Sequence, residues 1–234
     1  MKYSLVIPCF NEQGTIKLLL ERTKNLFIDN KIELILVNNG STDNTKNIIS
    51  ELIVDYPHAK YISFKKNLGY GGGILKGLSH CKGEIIGWTH ADLQTDPLDC
   101  IKAFKEYENV SRGQNVFIKG NRKKRPLNDQ FFTFGMSLFE TFLLRKLIYD
   151  VNAQPTIFPK KFFDSWINPP KDFSLDLYSY YLAQKKNYEI RRIPVDFLKR
   201  ISGESKWNTN FISRVRFILR TIKYSFKLKS KKVI

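Results

Sequence analysis

The feature that most constrains the fold of this chain is a regular alternation between short apolar runs and longer segments with helical periodicity. Five runs have the length and composition of buried strands: residues 3–8, 32–37, 61–64, 116–120 and the beginning of the stretch 83–97. Helical segments are predicted between them, around residues 15–26, 48–53, 74–81 and 98–107. Strands that alternate with helices at this spacing predict an α/β fold with a mostly parallel, doubly wound sheet flanked by helices.

The second part of the chain follows a different pattern. Residues 131–149 form a long, aromatic-rich helical segment, which is typical either of a core helix or of a surface that faces a membrane. Residues 172–186 predict a further helix, and residues 188–197 predict a strand. We expect this strand to lie at an edge of the sheet.

Polar loops follow four of the predicted strands, at residues 9–14, 38–43, 67–73 and 90–96. In open α/β sheets, ligands bind at the carboxyl ends of the strands. The loops carry carboxylates, amides and glycines, but neither GxxxxGK[ST] nor GxGxxG is present. No Ser-His-Asp or Cys-His order stands out among the three histidines. A carboxylate with amide oxygens and an imidazole suits a divalent ion that bridges a diphosphate.

Composition and charge bound the class of protein. The 234 residues, of which 42% are hydrophobic, are enough for one large domain or for one domain with an appendage. Three cysteines without paired spacing argue against a disulfide framework and suit a reducing cytosol. We expect neither a secretory signal nor a membrane span, which would need roughly 18 apolar residues, and therefore predict a soluble or membrane-peripheral protein. The formal charge of +17 is compatible with nucleic acid, an anionic membrane or phosphorylated substrates.

The basic excess is concentrated in two places. Residues 211–234 contain eight Lys or Arg residues and no acidic residue, and residues 119–125 form a second cluster. The first segment also carries an apolar stripe at helical spacing, formed by Phe211, Ile212, Val215, Ile218, Leu219, Ile222 and Phe226. Such a helix either docks on the protein's own core or lies on anionic lipid, and the lack of acids favours lipid. No nucleic-acid partner is predicted, because no nucleic-acid motif is present.

Four motifs, in this order along the chain, resemble those of family 2 glycosyltransferases. They are Val6-Ile7-Pro8-Cys9-Phe10-Asn11-Glu12, Val37-Asn38-Asn39-Gly40-Ser41-Thr42-Asp43, His90-Ala91-Asp92-Leu93-Gln94 and Arg200-Ile201-Ser202-Gly203-Glu204-Ser205-Lys206. The last two are similar to D-A-D-L-Q and R-x-x-G-x-S-K of the dolichol- or polyprenyl-phosphate mannosyl- and glucosyltransferase branch. The resemblance spans residues 3–207. It implies a GT-A fold, a nucleotide-diphosphate sugar donor, inversion at the anomeric centre and a divalent metal, Mn²⁺ or Mg²⁺.

The resemblance also implies roles for individual residues. The nucleotide pocket would be lined by Pro8, Phe10 and Glu12, while Asn39 would face the base and Asp43 would support its loop. The diphosphate and its metal would be held by His90, Ala91, Asp92 and Gln94, with His90, Asp92 and Gln94 as the metal ligands. Arg200 and Lys206 would bind donor or acceptor phosphate, and together with Asp92 they are the predicted catalytic residues. We therefore predict a catalytic domain at residues 1–207 and a membrane-associated amphipathic helix at residues 208–234.

Two positions depart from the family pattern. Asn38 and Asn39 stand where the family usually has two aspartates, but an amide oxygen still accepts a hydrogen bond from a base N–H. His90 replaces the first aspartate of the metal motif. An imidazole would ligate Mn²⁺ more readily than Mg²⁺, hydrogen-bond the diphosphate or sugar, or serve a structural role. Asp92 is therefore favoured as the essential metal ligand.

The acceptor decides whether a general base is needed. A polyprenyl phosphate is already an anion and needs only orientation and cations, whereas a sugar hydroxyl needs a carboxylate base. Asp150 and Asp176 are candidates for that base, although a helix cap or a solvated position is expected for each. The basic segments favour a lipid-linked phosphate acceptor at the cytosolic face of a membrane. The alternatives are transfer to a hydroxyl of a surface polysaccharide or glycolipid, and a non-catalytic protein that binds a nucleotide sugar or a membrane.

Overall fold

The computed structural model describes residues 2–24, 31–111, 115–125, 127–201 and 211–230. Its strands are β1 (Tyr3–Cys9), β2 (Ile32–Asn39), β3 (Ala59–Phe64), β4 (Ile85–Trp88), β5 (Val116–Lys123), β6 (Thr156–Pro159) and β7 (Glu189–Asp196). Its helices are α1 (Ile16–Thr23), α2 (Thr45–Leu52), α3 (Tyr70–Leu78), α4 (Asp99–Ser111), α5 (Leu127–Leu144), α6 (Lys160–Asp164), α7 (Ser174–Lys185) and α8 (Phe211–Lys229).

The described strands form one seven-stranded sheet in the order β3-β2-β1-β4-β6-β5-β7. Strands β3, β2, β1 and β4 are parallel to one another, and β7 is parallel to β5, whereas β6 runs antiparallel to both of its neighbours. The predicted α/β fold with a mostly parallel sheet is confirmed. The strand predicted at residues 188–197 does lie at the edge.

Helices cover both faces of the sheet, so the central strands are buried on both sides. Along β1, Leu5 and Ile7 belong to the core on one face and Val6 to the core on the other, because successive side chains of a strand point to opposite faces. All eight residues of β2 are buried. This explains why these strands read as continuous apolar runs rather than as an alternating pattern.

Among the elements at which the structure differs from the sequence predictions are β6, α3 and α5. Strand β6 is not predicted from the sequence, because its four residues, Thr156–Pro159, are too few to show a periodicity. Helix α3 begins at Tyr70, before the predicted start at residue 74. Helix α5 ends at Leu144 rather than at residue 149, because Arg145 adopts a left-handed conformation with φ of 54°.

Helix α8 packs on α5 and α7. Its Ser225 and Leu228 are buried, and Phe226 lies 6.3 Å from the ring of Phe139 in α5. The helix therefore docks on the protein, and it still leaves Leu219 and Phe226 more than half exposed. None of the helices in the described ranges is long and apolar enough to cross a bilayer.

Candidate active site

The loops after β1 and β2 meet at the carboxyl edge of the sheet, because the two strands are parallel neighbours. The hydrogen bonds that join them include Asn11 N–H to Ser41 Oγ at 3.1 Å, Glu12 N–H to Thr45 Oγ1 at 2.7 Å, and Gln13 N–H to Asp43 Oδ2 at 3.2 Å. The sequence therefore brings the predicted nucleotide-binding residues of the first two motifs into one rim. Pro8 and Phe10 are partly exposed in this rim.

The polar side chains of the second motif bond mainly to their own scaffold. Asp43 accepts the backbone N–H of Thr45 at 3.0 Å as well as that of Gln13, and these bonds help to hold its pKa below the usual range against the opposing effect of burial. Asn39 is 3% exposed; its Nδ2 donates to Gly69 O at 2.9 Å and its Oδ1 accepts from Leu68 N–H at 3.0 Å. A nucleotide base that hydrogen-bonds the Asn39 side chain would therefore bind an amide that is already bonded to Gly69 and Leu68.

The glycine-rich turn after β3 brings the start of α3 close to two other segments. A Cβ at Gly71 would lie 2.7 Å from the carbonyl oxygens of Pro170 and Asp172, and a Cβ at Gly73 would lie 2.9 Å from Asn39 Nδ2. The N–H of Gly72 donates to Lys171 O at 3.0 Å. Glycines are therefore required here so that α3 can place Tyr70 beside the loop after β4.

The β4 loop places Asp92 against Arg200. Asp92 is buried, and its Oδ2 accepts from Arg200 Nη2 at 2.7 Å while its Oδ1 accepts from the N–H of Gln94 at 3.1 Å. The carbonyl oxygen of Gln94 accepts from the N–H of Leu198 at 2.8 Å, and Gln94 Nε2 donates to the carbonyl oxygen of Leu198 at 3.3 Å. These contacts attach the segment after β7 to the loop that carries Asp92 and Gln94. Lys206 lies outside the described residues.

Glu12 is electrostatically coupled to this pair. Burial raises the pKa of its carboxyl to about 7; the Thr15 hydroxyl, which donates to Oε2 at 2.8 Å, opposes the rise, and the charge of Asp92 adds to it. Arg200 acts in the opposite direction. The first and third motifs therefore belong to one electrostatic site.

His90 lies in a polar cluster with Tyr70 and Asp176. Its Nε2 lies 3.0 Å from the Tyr70 hydroxyl, which donates to Asp176 Oδ2 at 2.8 Å. Burial lowers the pKa of His90 below its ordinary value of 6.5, although Asp92 and Asp176 oppose the shift. The imidazole is therefore neutral at pH 7, which is the form that ligates metals. Ala91, beside it, is buried in the core.

Neither of the two candidate bases is a cap or a solvated residue, so that sequence expectation is wrong. Asp150 is 1% exposed and accepts from Arg122 Nε at 2.9 Å and from the backbone N–H of Arg122 at 3.0 Å. The guanidinium groups of Arg125 and Arg192 lie 3.6 Å and 3.8 Å from its carboxylate oxygens. Burial alone would raise the pKa of Asp150, but Arg122 overcomes this effect and holds it below the usual range. Asp176 is fully buried and pairs with Lys119 at 3.2 Å.

The site residues fit a metal that is shared with a substrate rather than one held by protein alone. Within the described part of the chain, no three His, Cys, Asp or Glu side chains cluster in a way that could hold a metal. Divalent ions in phosphate-transfer sites commonly take one or two carboxylates and complete their shell with substrate phosphates and water. Asp92, Gln94 and the neutral His90, which belong to one motif loop, are a donor set of that kind.

Sequence reasoning missed Tyr70, Lys119 and Glu140. Glu140 stands alone as a charged residue within a mostly apolar run, which is a signal for a buried ionisable group. Lys119 is the first residue of the basic cluster 119–125 and carries no such signal. Glu140 is 2% exposed, lines a cavity of about 50 Å³ between α5, α7 and α8, and has no hydrogen-bond or ionic partner among the described residues. Burial raises its pKa to about 8, so it is protonated at pH 7.

Comparison with known proteins identifies the family. The family model "Glycosyl transferase family 2" matches residues 4–165. The prophage bactoprenol glucosyl transferase homolog of Escherichia coli is 35% identical over 103 residues, and the bactoprenol glucosyl transferase of Shigella phage SfV is 34% identical over 103 residues. Each match covers 43% of this chain and 33% of the relative, so the chain matches about a third of the length of these proteins.

Solved structures share the fold at low sequence identity. Glucosyl-3-phosphoglycerate synthase of Mycobacterium tuberculosis, crystallised with Mn²⁺, UDP and glucosyl-3-phosphoglycerate, superposes with a TM-score of 0.70 at 14% identity over 97% of this chain and 79% of its own. TarS of S. aureus has a TM-score of 0.60 at 17% identity over 82% of this chain and 58% of its own. Since the family model covers well over half of the sequence, this chain belongs to glycosyl transferase family 2 and has the GT-A fold.

Proposed function

We propose that this protein transfers a sugar from a nucleotide-diphosphate sugar to a polyprenyl phosphate, with inversion at the anomeric carbon and with the help of a divalent metal. The choice of acceptor rests on one observation: both candidate bases, Asp150 and Asp176, are engaged in ion pairs. Asp150 is surrounded by three arginines, and Asp176 is paired with Lys119. A phosphate acceptor needs no base, and relatives named bactoprenol glucosyl transferase support the same choice.

In the reaction, an oxygen of the acceptor phosphate attacks C1 of the sugar while the bond from C1 to the donor diphosphate breaks. The electron pair of that bond leaves with the nucleoside diphosphate, so the charge to be stabilised develops at the diphosphate. Arg200 lies beside Asp92, where a fixed cation stabilises this charge. A divalent metal held by Asp92, with Gln94 and His90 beside it, would neutralise the same oxygens. Lys206 is proposed as a second cation on phosphate.

We further propose that the protein works at an anionic membrane surface on the cytosolic side. An apolar face, formed by Phe131, Phe134, Leu138 and Phe142 of α5 with Leu219 and Phe226 of α8, is between 53% and 88% exposed. The exposed side chains Arg216, Arg220, Lys223 and Lys227 of α8 supply positive charge at the same place. Exposed aromatics rimmed by cations favour adsorption to anionic lipid. The three cysteines are buried and unpaired, which suits a reducing compartment.

Turnover tests the catalytic proposal. Purified protein is incubated with UDP- and GDP-sugars, Mn²⁺ or Mg²⁺ and polyprenyl phosphate in detergent, beside Asp92→Asn and the control Asp164→Asn, which removes an exposed carboxylate at the end of α6. We expect a metal-dependent glycolipid from the wild type and the control, and at least a 100-fold loss in Asp92→Asn. A wild type that hydrolyses the nucleotide sugar but forms no product on the lipid phosphate would overturn the acceptor assignment.

Vesicle flotation tests the membrane proposal. Phe142 in α5 is 88% exposed. Val54, which follows α2 and does not belong to the proposed surface, is 77% exposed. We expect Phe142→Ser to weaken binding to anionic vesicles and the matched Val54→Ser to leave it unchanged. Equal flotation of both variants, or no flotation of the wild type, would contradict the proposed surface.

A further inference from the structure

A chain of hydrogen bonds connects the motif histidine to a buried ion pair. His90 follows β4, Tyr70 is the first residue of α3, and Asp176 lies in α7. The Tyr70 hydroxyl is 3.0 Å from His90 Nε2 and 2.8 Å from Asp176 Oδ2. The Tyr70 ring is stacked on Phe173 with centroids 4.4 Å apart and an interplanar angle of 12°. Three separate elements therefore set the position of this hydroxyl.

Asp176, at the other end of this row of hydrogen bonds, is surrounded by donors. Asp176 Oδ1 accepts from Lys119 Nζ at 3.2 Å and from Gln154 Nε2 at 2.8 Å. Lys119 is fully buried, and burial lowers its pKa to about 8, which leaves it charged at pH 7. The ammonium and the amide N–H both donate to Oδ1, and the Tyr70 hydroxyl donates to Oδ2.

Counting protons then fixes the state of His90. The phenol has a single proton, which goes to the carboxylate of Asp176, so the contact between Tyr70 and His90 requires the imidazole to donate. Nε2 therefore carries a proton, which leaves Nδ1 as the ring nitrogen that can ligate a metal. No described residue forms a hydrogen bond to Nδ1.

We propose that Tyr70, oriented by Asp176, is a positioning residue that holds His90 as the Nε2–H tautomer and leaves its Nδ1 lone pair for the divalent cation of the donor site. The hydrogen-bond partner of the second ring nitrogen sets the tautomer of a metal-ligating histidine and raises its basicity. His90 thus serves as a neutral ligand at a position where the family motif has a carboxylate. The identity of the cation rests on the proposed function, but the tautomer does not.

The tautomer is measured directly by ¹⁵N NMR on histidine-labelled protein without donor or lipid. The chain has three histidines, at positions 58, 80 and 90, so His90→Gln assigns the signal. We expect Nε2 protonated and Nδ1 unprotonated in the wild type, and a mixture of tautomers in Tyr70→Phe. The control Tyr178→Phe removes another tyrosine hydroxyl, which bonds the backbone of Ile167 at 3.0 and 3.1 Å, and should leave the His90 signals unchanged.

A second readout follows the cation itself. Mn²⁺ binding in the presence of UDP, measured by electron paramagnetic resonance, should weaken about 10-fold or more in Tyr70→Phe and remain unchanged in Tyr178→Phe. A wild-type His90 protonated on Nδ1 would overturn the proposal even if the variant did not fold. Unchanged tautomer and unchanged Mn²⁺ affinity in Tyr70→Phe would overturn it as well. Because neither measurement uses an acceptor, failure of the proposed lipid transfer would be seen separately.

Discussion

The buried carboxyl of Glu140 predicts a specific pH dependence of stability. In the folded protein the pKa of this group is about 8, against an ordinary value of 4.5, because burial disfavours the charged form. Between these two values the folded state keeps a proton that the unfolded state releases. Raising the pH therefore favours unfolding, and the stability contributed by Glu140 is fully present below pH 4.5 and lost as the pH rises to 8.

The size of the effect follows from the same two values. Each pH unit between them costs about 1.4 kcal/mol of stability. From pH 5 to pH 7.5 the loss is therefore about 3 kcal/mol, once partial ionisation near pH 8 is included. Glu140→Gln has a similar shape and no titration, so this part of the pH dependence should disappear in the variant.

Urea unfolding of both proteins at pH 5 and pH 7.5 provides the assay. The wild type should lose about 3 kcal/mol more than Glu140→Gln between the two pH values, and the comparison cancels every other titrating group. Glu51→Gln, which removes an exposed carboxylate from α2, is the control and should behave as the wild type. A difference below about 1 kcal/mol would refute the reasoning, because Glu140 would then be ionised in the folded protein.

Two further predictions concern packing and the arginine cluster. A Cβ at Gly77 would lie 2.2 Å from Val6 Cγ1, so Gly77→Ala should cost roughly 1–3 kcal/mol in denaturant unfolding. The alanine Cβ in Gly135→Ala, in α5, would meet nothing within 4 Å, so this variant should be more stable by about 1 kcal/mol. A Gly77→Ala variant more stable than Gly135→Ala would contradict the close contact between Gly77 and Val6. Asp150→Asn leaves three arginines without their carboxylate and should cost about 3–5 kcal/mol, measured in the same way; an unchanged midpoint would mean that the ion pairs are not formed.

Much of the fold was predictable because its parallel strands are buried on both faces. A run such as that of β2 has a strong signal in length and composition, and the polar loop after each strand marks the binding edge. Strand β6 was not predictable, since its four residues are assigned to the sheet only by pairing with β4 and β5. The end of α5 depends on the backbone conformation of one residue, Arg145, which no periodicity reveals.

The candidate site was predictable where short motifs carry it and not where distant side chains meet. The resemblance named both Asp92 and Arg200, which lie 108 positions apart and are joined by an ion pair in the structure. The contact between Tyr70 and Asp176, 106 positions apart, has no counterpart in any local pattern. Residue type and position within a predicted helix make Asp176 a candidate base, and only its pairing with Lys119 assigns it a different role.

Competition between two acceptors tests the central claim most directly. Polyprenyl phosphate and the matching polyprenol differ only in the phosphate, and both are offered to the same enzyme with its nucleotide-sugar donor and Mn²⁺. Because Asp150 and Asp176 are committed to ion pairs, the account predicts transfer to the phosphate and none to the alcohol. Comparable transfer to polyprenol would require a general base and would contradict the account.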